Sequence, residues 1–321
     1  MGQKAAVIDM GTNTFHLLMV ELDGDGFRTV YKEKIPVKLG EGGISHQVIL
    51  PEAKRRAFHT LTHFSNLISG ENIRHVAAFA TSAVRNATNG ASFVQEVWDK
   101  LGIDVDVIDG NREAELIYKG IRLSGSLTKE TTLMMDIGGG SVEFIIGNED
   151  RVFWKQSFEI GGQRMLDQFH AHDPIAPGEM ARLYGFLQEK LTPLTQAIAN
   201  HKPQRLVGAS GTFDTLTDIY LARQTDYKFT RQSTYSIPVT SFQDIASQLV
   251  SLNKMARLQI KGMIPMRVDM IVVASCLIRH VLKMVETDFL YCSTYSLKEG
   301  AIAELLQLAA QSNPPQFARP A

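Results

Sequence analysis

Asp136-Ile137-Gly138-Gly139-Gly140-Ser141-Val142-Glu143 is a glycine turn set between two apolar stretches, and 127 residues earlier the chain carries Asp9-Met10-Gly11-Thr12-Asn13-Thr14-Phe15-His16. Each copy continues in the same way. A polar turn follows, at Asp23 to Gly26 in the first copy and Gly147 to Asp150 in the second. Next comes a strand-like run, Phe27 to Val37 or Val152 to Phe158, and then a glycine pair, Gly42-Gly43 or Gly161-Gly162. Both copies therefore read as strand, glycine turn, strand, hairpin, strand. The spacing is one domain length, which predicts two similar domains, 1–125 and 126–321, facing each other across a cleft.

The rest of the chain fits an α/β repeat. After the first copy, apolar residues at Ala57, Leu61, Phe64 and Leu67/Ile68 recur at helical spacing from Pro51. A strand His75 to Ala80, a helix Ala91 to Leu101, a strand Val105 to Ile108 and a helix Glu113 to Ile121 follow. This order is βββαβαβα. The second half repeats it with helices inserted: helices near Met165 and from Pro177 to Ala199, a strand Arg205 to Val207, a helix Phe213 to Leu221, helices Phe242 to Leu252 and Val268 to Val285, a strand Phe289 to Tyr291, and a last helix Leu297 to Ala309 that can return to the first domain. The Pro-rich end from Asn313 reads as a frayed tail.

Composition narrows the function classes. With 33 Lys and Arg against 34 Asp and Glu, the net charge is −1. The chain therefore has no global attraction for nucleic acid or an anionic membrane, and a polyanion needs a local site. The longest apolar run, Met270 to Ile278, is too short to span a bilayer, and Asp9 interrupts the N-terminal stretch where a secretion signal would need an apolar core. Two cysteines, Cys276 and Cys292, are too few for a disulfide framework and predict a reducing, cytoplasmic setting.

A glycine turn lets backbone N–H groups approach an anion, and neighbouring hydroxyls add donors. Gly11, Thr12, Asn13 and Thr14 on one side, with Gly138, Gly139, Gly140 and Ser141 on the other, could grip one phosphate chain. Taken singly, either turn is equally an ordinary hairpin; recurrence at domain spacing selects the phosphate-loop reading. Asp9 and Asp136 lie beside that anion and would repel it without a cation between them, which predicts a divalent metal, magnesium by preference. Glu143, on the outgoing strand, is a third candidate ligand, directly or through water. His59 and His63 share a helix face without a third ligand and read as a surface pair.

At these residues the chain resembles the actin, sugar kinase and heat-shock ATPase superfamily, and within it the exopolyphosphatase and guanosine pentaphosphate phosphatase family. The resemblance rests on the two turns together with Ala80-Thr81-Ser82-Ala83-Val84-Arg85-Asn86-Ala87, Gly110-x-x-Glu113-Ala114-x-x-x-Tyr118-x-Gly120 and Gly208-x-x-Gly211-Thr212. It implies two ribonuclease-H-like domains and a magnesium-dependent hydrolase that releases the terminal phosphate of a phosphoanhydride chain. Glu113 matches the general base, although a first-turn glutamate is also what a helix dipole favours. Arg85 matches a phosphate clamp, and Arg164 resembles a further family arginine.

Three motifs depart from the pattern: Arg112 replaces an acid beside Glu113, Ala209-Ser210 lacks a glycine, and Ser296 and Lys298 stand where glycine and arginine are usual. The chain resembles the short, two-domain form, so a long chain would need a groove between these domains or in a homodimer. The stretch 251–283, with Lys254, Arg257, Lys261, Arg267, Arg279 and Lys283 against Asp269, either gathers a polyanion or solvates helix faces. Inorganic polyphosphate is the expected substrate and guanosine pentaphosphate the alternative; an ATP-dependent kinase and a non-catalytic phosphate-chain sensor rank below.

Overall fold

The computed structural model describes residues 3–24, 26–224 and 232–312, so the tail from Asn313 lies outside the described residues. In the first half, β1 (Lys4–Met10), β2 (Phe15–Asp23) and β3 (Gly26–Ile35) form an antiparallel meander. Helix α1 (Pro51–Gly70) then crosses over to β4 (His75–Ala80), parallel to β1, and α2 (Ser82–Arg85) and α3 (Gly90–Leu101) lead to β5 (Val105–Val107). The sheet order is β3-β2-β1-β4-β5. Helix α4 (Gly110–Leu123) closes this half.

The second half begins with the same meander, β6 (Thr132–Ile137), β7 (Val142–Gly147) and β8 (Val152–Phe158), followed by α5 (Gly162–Phe169), α6 (Pro177–Lys190) and α7 (Thr192–His201). Strand β9 (Arg205–Ala209) and helix α8 (Gly211–Ala222) precede β10 (Thr234–Pro238), α9 (Val239–Ser251), α10 (Lys254–Leu258), α11 (Met270–Leu282), β11 (Phe289–Ser293) and α12 (Leu297–Ser312). The order β10-β11-β9-β6-β7-β8 contains the first sheet's arrangement, with β10 added antiparallel at the edge.

That edge strand departs from the expected βββαβαβα. Only Ile237 is buried within it and a proline ends it, so it lacks the alternation that marks a half-buried strand. Helix α4 starts three residues before the expected Glu113, because the Asp109 carboxylate accepts the backbone N–H of Arg112 at 2.8 Å and caps it. The apolar run 270–278 is a core helix, buried throughout, and among the described residues no helix is long and apolar enough to cross a membrane.

Strand alternation sorts the side chains into layers. In β1, Ala6, Ile8 and Met10 pack under α1 and α3, whereas Ala5 and Val7 face the opposite way, into a core shared with Met134, Ile145 and Val207 of the second sheet. That shared core is filled by α4 and α12, and α12 packs against α4 and β1. By the same parity Asp9 and His16 share a face with Val7 and Leu18, and Asp136 and Glu143 share one with Met134 and Ile145. All four point between the sheets.

Helices α4 and α12 cross with almost no space between their backbones. A methyl at Gly120 would strike the Ser296 carbonyl, and one at Gly300 would strike the Leu116 carbonyl. Arg112 Nη1 and Nη2 both donate to Glu304, at 2.6 and 2.5 Å, and Lys119 joins the same carboxylate at 2.7 Å. Gly300→Ala is therefore expected to cost about 1–3 kcal/mol by overpacking, read as a lower urea midpoint, despite alanine's better helix propensity. A raised midpoint would contradict this close crossing.

Candidate active site

The two glycine turns have one geometry. Gly11 N–H donates to the Thr14 carbonyl at 3.1 Å and Gly138 N–H to the Ser141 carbonyl at 3.0 Å. Their own carbonyls are tied back into the protein. Thr12 and Asn13 oxygens accept from Gly40 and Lys38, while Gly138, Gly139 and Gly140 oxygens accept from Gly162, Gln163 and Gly161. Among the described residues, no backbone carbonyl accepts from the N–H groups of Thr12, Asn13, Gly139 or Gly140. Donors that are tied on their carbonyl side and free on their amide side make a concave anion site. The turns also abut: a side chain at Gly139 would meet Asn13 and Thr12, and one at Gly140 would meet Ser82 and Thr12.

Between the turns lies a cleft of about 150 Å³. One end holds carboxylates. Asp9 and Asp136 come from matching positions of β1 and β6, and Glu113 from the first turn of α4. Burial pushes the Asp9 carboxyl up to about 7, opposed by Lys298 and reinforced by Asp136 and Glu299. Asp9 makes no hydrogen bond or ion pair with the described residues. Asp136 is also raised by burial, although the hydroxyls of Ser296 and Ser210 donate to it. Glu143 does not line the cleft. It sits behind Asp136, accepts from Ser157 Oγ at 2.7 Å, and is raised well above its usual range by burial, then by Glu113 and Asp136.

Glu113 is 7% exposed, which a solvated first-turn glutamate would not be. Its neighbour Arg112 points away to Glu304, so the missing acid at 112 leaves Glu113 as the carboxylate facing the cleft. Burial raises Glu113 to about 7, opposed chiefly by Arg85, whose Nη1 donates to Glu113 Oε2 and to the Ile108 carbonyl at 2.9 Å each. Arg85 is therefore held beside Glu113 rather than solvated, although it does not itself line the cleft. Arg164 Nε donates to the Gly140 carbonyl at 2.9 Å, supporting the second turn from behind.

The other end of the cleft is cationic. Lys32 and Lys34 of β3, Arg267, Lys298 and the N-terminus of α8 at Gly211 surround it, with Asp214 among them. A methyl on Gly211 would touch both Arg267 and Lys34. Arg267 Nε is buried without a partner, and burial together with Arg267 brings the Lys34 ammonium down to about 8. Burial, then Lys298 and Lys34, holds His16 well below its usual range; its Nε2 lies 3.0 Å from Thr14 Oγ1. Lys32 and Lys298 pair with Glu299 at 3.6 and 3.2 Å, and Asp214 lies among the cations, but Arg267 and Lys34 make no ion pair among the described residues; buried cations of this kind suit a polyanion.

His16, Lys32, Lys34 and Asp214 escaped the sequence reading. Lys32 and Lys34 pair across the sheet with Leu18 and His16, on the face that Asp9 shares, so the Lys-x-Lys alternation on β3 was a usable signal. The basic stretch 251–283 is not one groove. Only Arg267 reaches the cleft; Arg257 is fully buried against Asp173 at 2.7 Å, Lys254 pairs with Asp269, and Arg279 binds Gln243. His63 binds Glu33 at 2.8 Å, as a surface histidine can. At the departure from the glycine pattern, Ser210 itself adopts φ +70° and ψ −177°, a conformation that costs a non-glycine residue about 1–3 kcal/mol. Its hydroxyl contacts the Ile137 carbonyl at 3.3 Å.

Among the described residues no three His, Cys, Asp or Glu side chains cage an ion by themselves. Asp9, half-buried and without a hydrogen-bond or ion-pair partner among the described residues, nevertheless fits with Asp136 a magnesium ion that takes its remaining ligands from water and phosphate oxygens.

Twinned ribonuclease-H-like folds with opposed glycine turns over buried acids place the chain in the actin-like fold class. Residues 18–309 match the Ppx/GppA phosphatase family, and the chain belongs to it. An exopolyphosphatase of Cytophaga hutchinsonii has a similar crystal structure, with TM-score 0.92 and 45% identity over 95% of this chain and 98% of that one. The Ppx/GppA family member of Aquifex aeolicus shares the fold, with TM-score 0.81 and 21% identity over 96% of this chain and 98% of that one. A bifunctional 3-dehydroquinate synthase/phosphatase of Fusobacterium nucleatum is 27% identical over 316 residues, 93% of this chain and 46% of that protein; this chain spans about half the length of that relative.

Proposed function

We propose that the protein releases terminal orthophosphate from inorganic polyphosphate by in-line attack of water. The observation that carries this is the cationic end of the cleft opposite Glu113. A phosphate chain with its terminal group between the two turns would lay its next phosphates against Lys34, Arg267, Lys298 and the α8 N-terminus. A nucleoside would have to enter near Gly208 to Thr212, where the Phe213 ring lies on Gly208 and the Arg267 and Lys34 heads lie over Gly211. That crowding favours polyphosphate over guanosine pentaphosphate and over ATP.

In this mechanism Glu113 orients a water against the terminal phosphorus and takes its proton. Arg85 and the N–H groups of Thr12, Asn13, Gly139 and Gly140 hold the equatorial oxygens, with Thr14 and Ser141 at the turn ends. The cationic end accepts charge that builds on the leaving chain. A bound magnesium ion, held by Asp9 and Asp136 with Glu143 behind, would neutralise phosphate oxygens. Asp9→Asn, or chelation of the wild type, should each lower phosphate release at least a hundredfold; full turnover in chelator would refute the metal assignment. We take 1–125 and 126–321 as the two halves that close on substrate. Cys276 and Cys292 are both buried and unpaired, which suits a reducing cytoplasm.

The test is kcat/KM for phosphate release from long polyphosphate, guanosine pentaphosphate and ATP. Polyphosphate should lead by about tenfold or more. A lead for guanosine pentaphosphate would transfer the assignment to that substrate, and binding without release would make the protein a sensor.

A further inference from the structure

Below the carboxylate end of the cleft, the side chain of Glu159 projects from the segment between β8 and α5 into a ring of donors. Ser82 Oγ donates to its Oε2 at 2.6 Å, Arg164 Nη2 donates to the same oxygen at 3.1 Å, and Arg85 Nη2 donates to its Oε1 at 3.1 Å. Asn86 also hydrogen-bonds to it. Ser82 and Arg85 belong to the first half of the chain, and Arg164 and Glu159 to the second. The same Ser82 Oγ lies where a side chain on Gly140 would stand, and the same Arg85 holds Glu113, so this ring shares a wall with the site of hydrolysis.

An acid is an unexpected resident beside a site for a polyanion. One Nη2 from each of two guanidinium groups and a hydroxyl meet on one carboxylate; charge-assisted donors so placed also suit a tetrahedral oxyanion, whose oxygens take similar positions. Glu159 is 42% exposed at its side chain, so it can leave the ring for water. Behind it opens a cavity of about 480 Å³, lined by Ser45, Arg164 and Lys190 among others. The other end of the cleft would still hold the shortened chain, which leaves this ring as the free neighbour for the released group.

We propose that Ser82, Arg85 and Arg164 form a second oxyanion site that takes product orthophosphate, and that Glu159 is its internal competitor. The identity of the anion rests on the hydrolase reading above; the site itself does not. By competing for the two arginines, Glu159 keeps the product from lingering beside the turns. Removing it should therefore tighten phosphate binding, whereas a residue that merely braces the two halves would loosen binding when removed.

Calorimetric titration of inorganic phosphate into wild type, Glu159→Gln and Glu159→Ala, with thermal melts of each, decides the matter without any turnover. Phosphate should bind about tenfold tighter to both variants, equivalent to about 1.4 kcal/mol. The gain should vanish when Arg164→Ala is added. Unchanged or weaker phosphate binding in the variants overturns the proposal; if the alanine variant fails to fold, the glutamine variant alone decides it. A wild type that releases no phosphate from polyphosphate, beside variants that gain phosphate affinity, would sink the substrate reading and leave the site standing.

Discussion

Glu113→Gln is expected to lower kcat for phosphate release by about 10²–10⁴ while leaving substrate affinity within a few fold. The amide keeps the shape of the side chain and one acceptor for Arg85 but cannot take a proton from water. In the wild type the carboxylate must be ionised to act, and burial has raised it to about 7. A raised carboxyl gains its charge late, so kcat/KM should climb with pH through about 7 and level off above it. That limb should be missing from whatever residual activity the glutamine variant retains. Near-normal turnover in the variant would remove Glu113 from the mechanism; a rate flat from pH 5 to 8 in the wild type would show that another group sets the protonation.

The second large effect concerns the cationic end. Arg267→Met keeps the length of the side chain and removes a buried guanidinium whose Nε has no protein partner. A charge-assisted hydrogen bond of about 1.5–3 kcal/mol lost to the substrate corresponds to roughly a 10- to 150-fold rise in KM for a short polyphosphate. Lys34→Met should act in the same direction, and the two should not add, since their heads crowd one another above Gly211. Neither change deprives a protein carboxylate of a hydrogen bond, and each removes the burial cost of a charged head, so the ligand-free variants should melt no lower than wild type. A KM unchanged in both would mean that the chain does not run toward α8.

Much of this site was legible in the chain because strand parity is local information. Once Asp9 and Asp136 are placed at the ends of equivalent strands, alternation fixes which face they share with His16 and Glu143, and the glycine turns fix where the backbone donors go. Parity does not say what covers a face. Lys32 and Lys34 lie on an outer strand, where alternating lysines are equally the mark of a solvated surface; only the second half of the molecule makes them line a cleft. The stretch 251–283 stayed open between a polyanion surface and solvated helix faces for the reverse reason: six like charges in sequence spread over two helices and the turns around them, and Arg257 holds Asp173. Strand β10 was invisible because its contribution is backbone pairing with β11, which needs no apolar pattern. Glu159 gave no signal in the sequence, since its role comes from two arginines that lie 74 and 5 residues away along the chain.

Single-turnover hydrolysis of polyphosphate in ¹⁸O-enriched water, with magnesium, addresses the chemistry most directly. Direct attack of water on the terminal phosphorus requires each released orthophosphate to carry one solvent oxygen and the shortened chain to carry none, with the labelled orthophosphate lost in Glu113→Gln. Label in the shortened chain, or no orthophosphate from a protein that binds the chain, would contradict the hydrolytic mechanism assigned to this cleft.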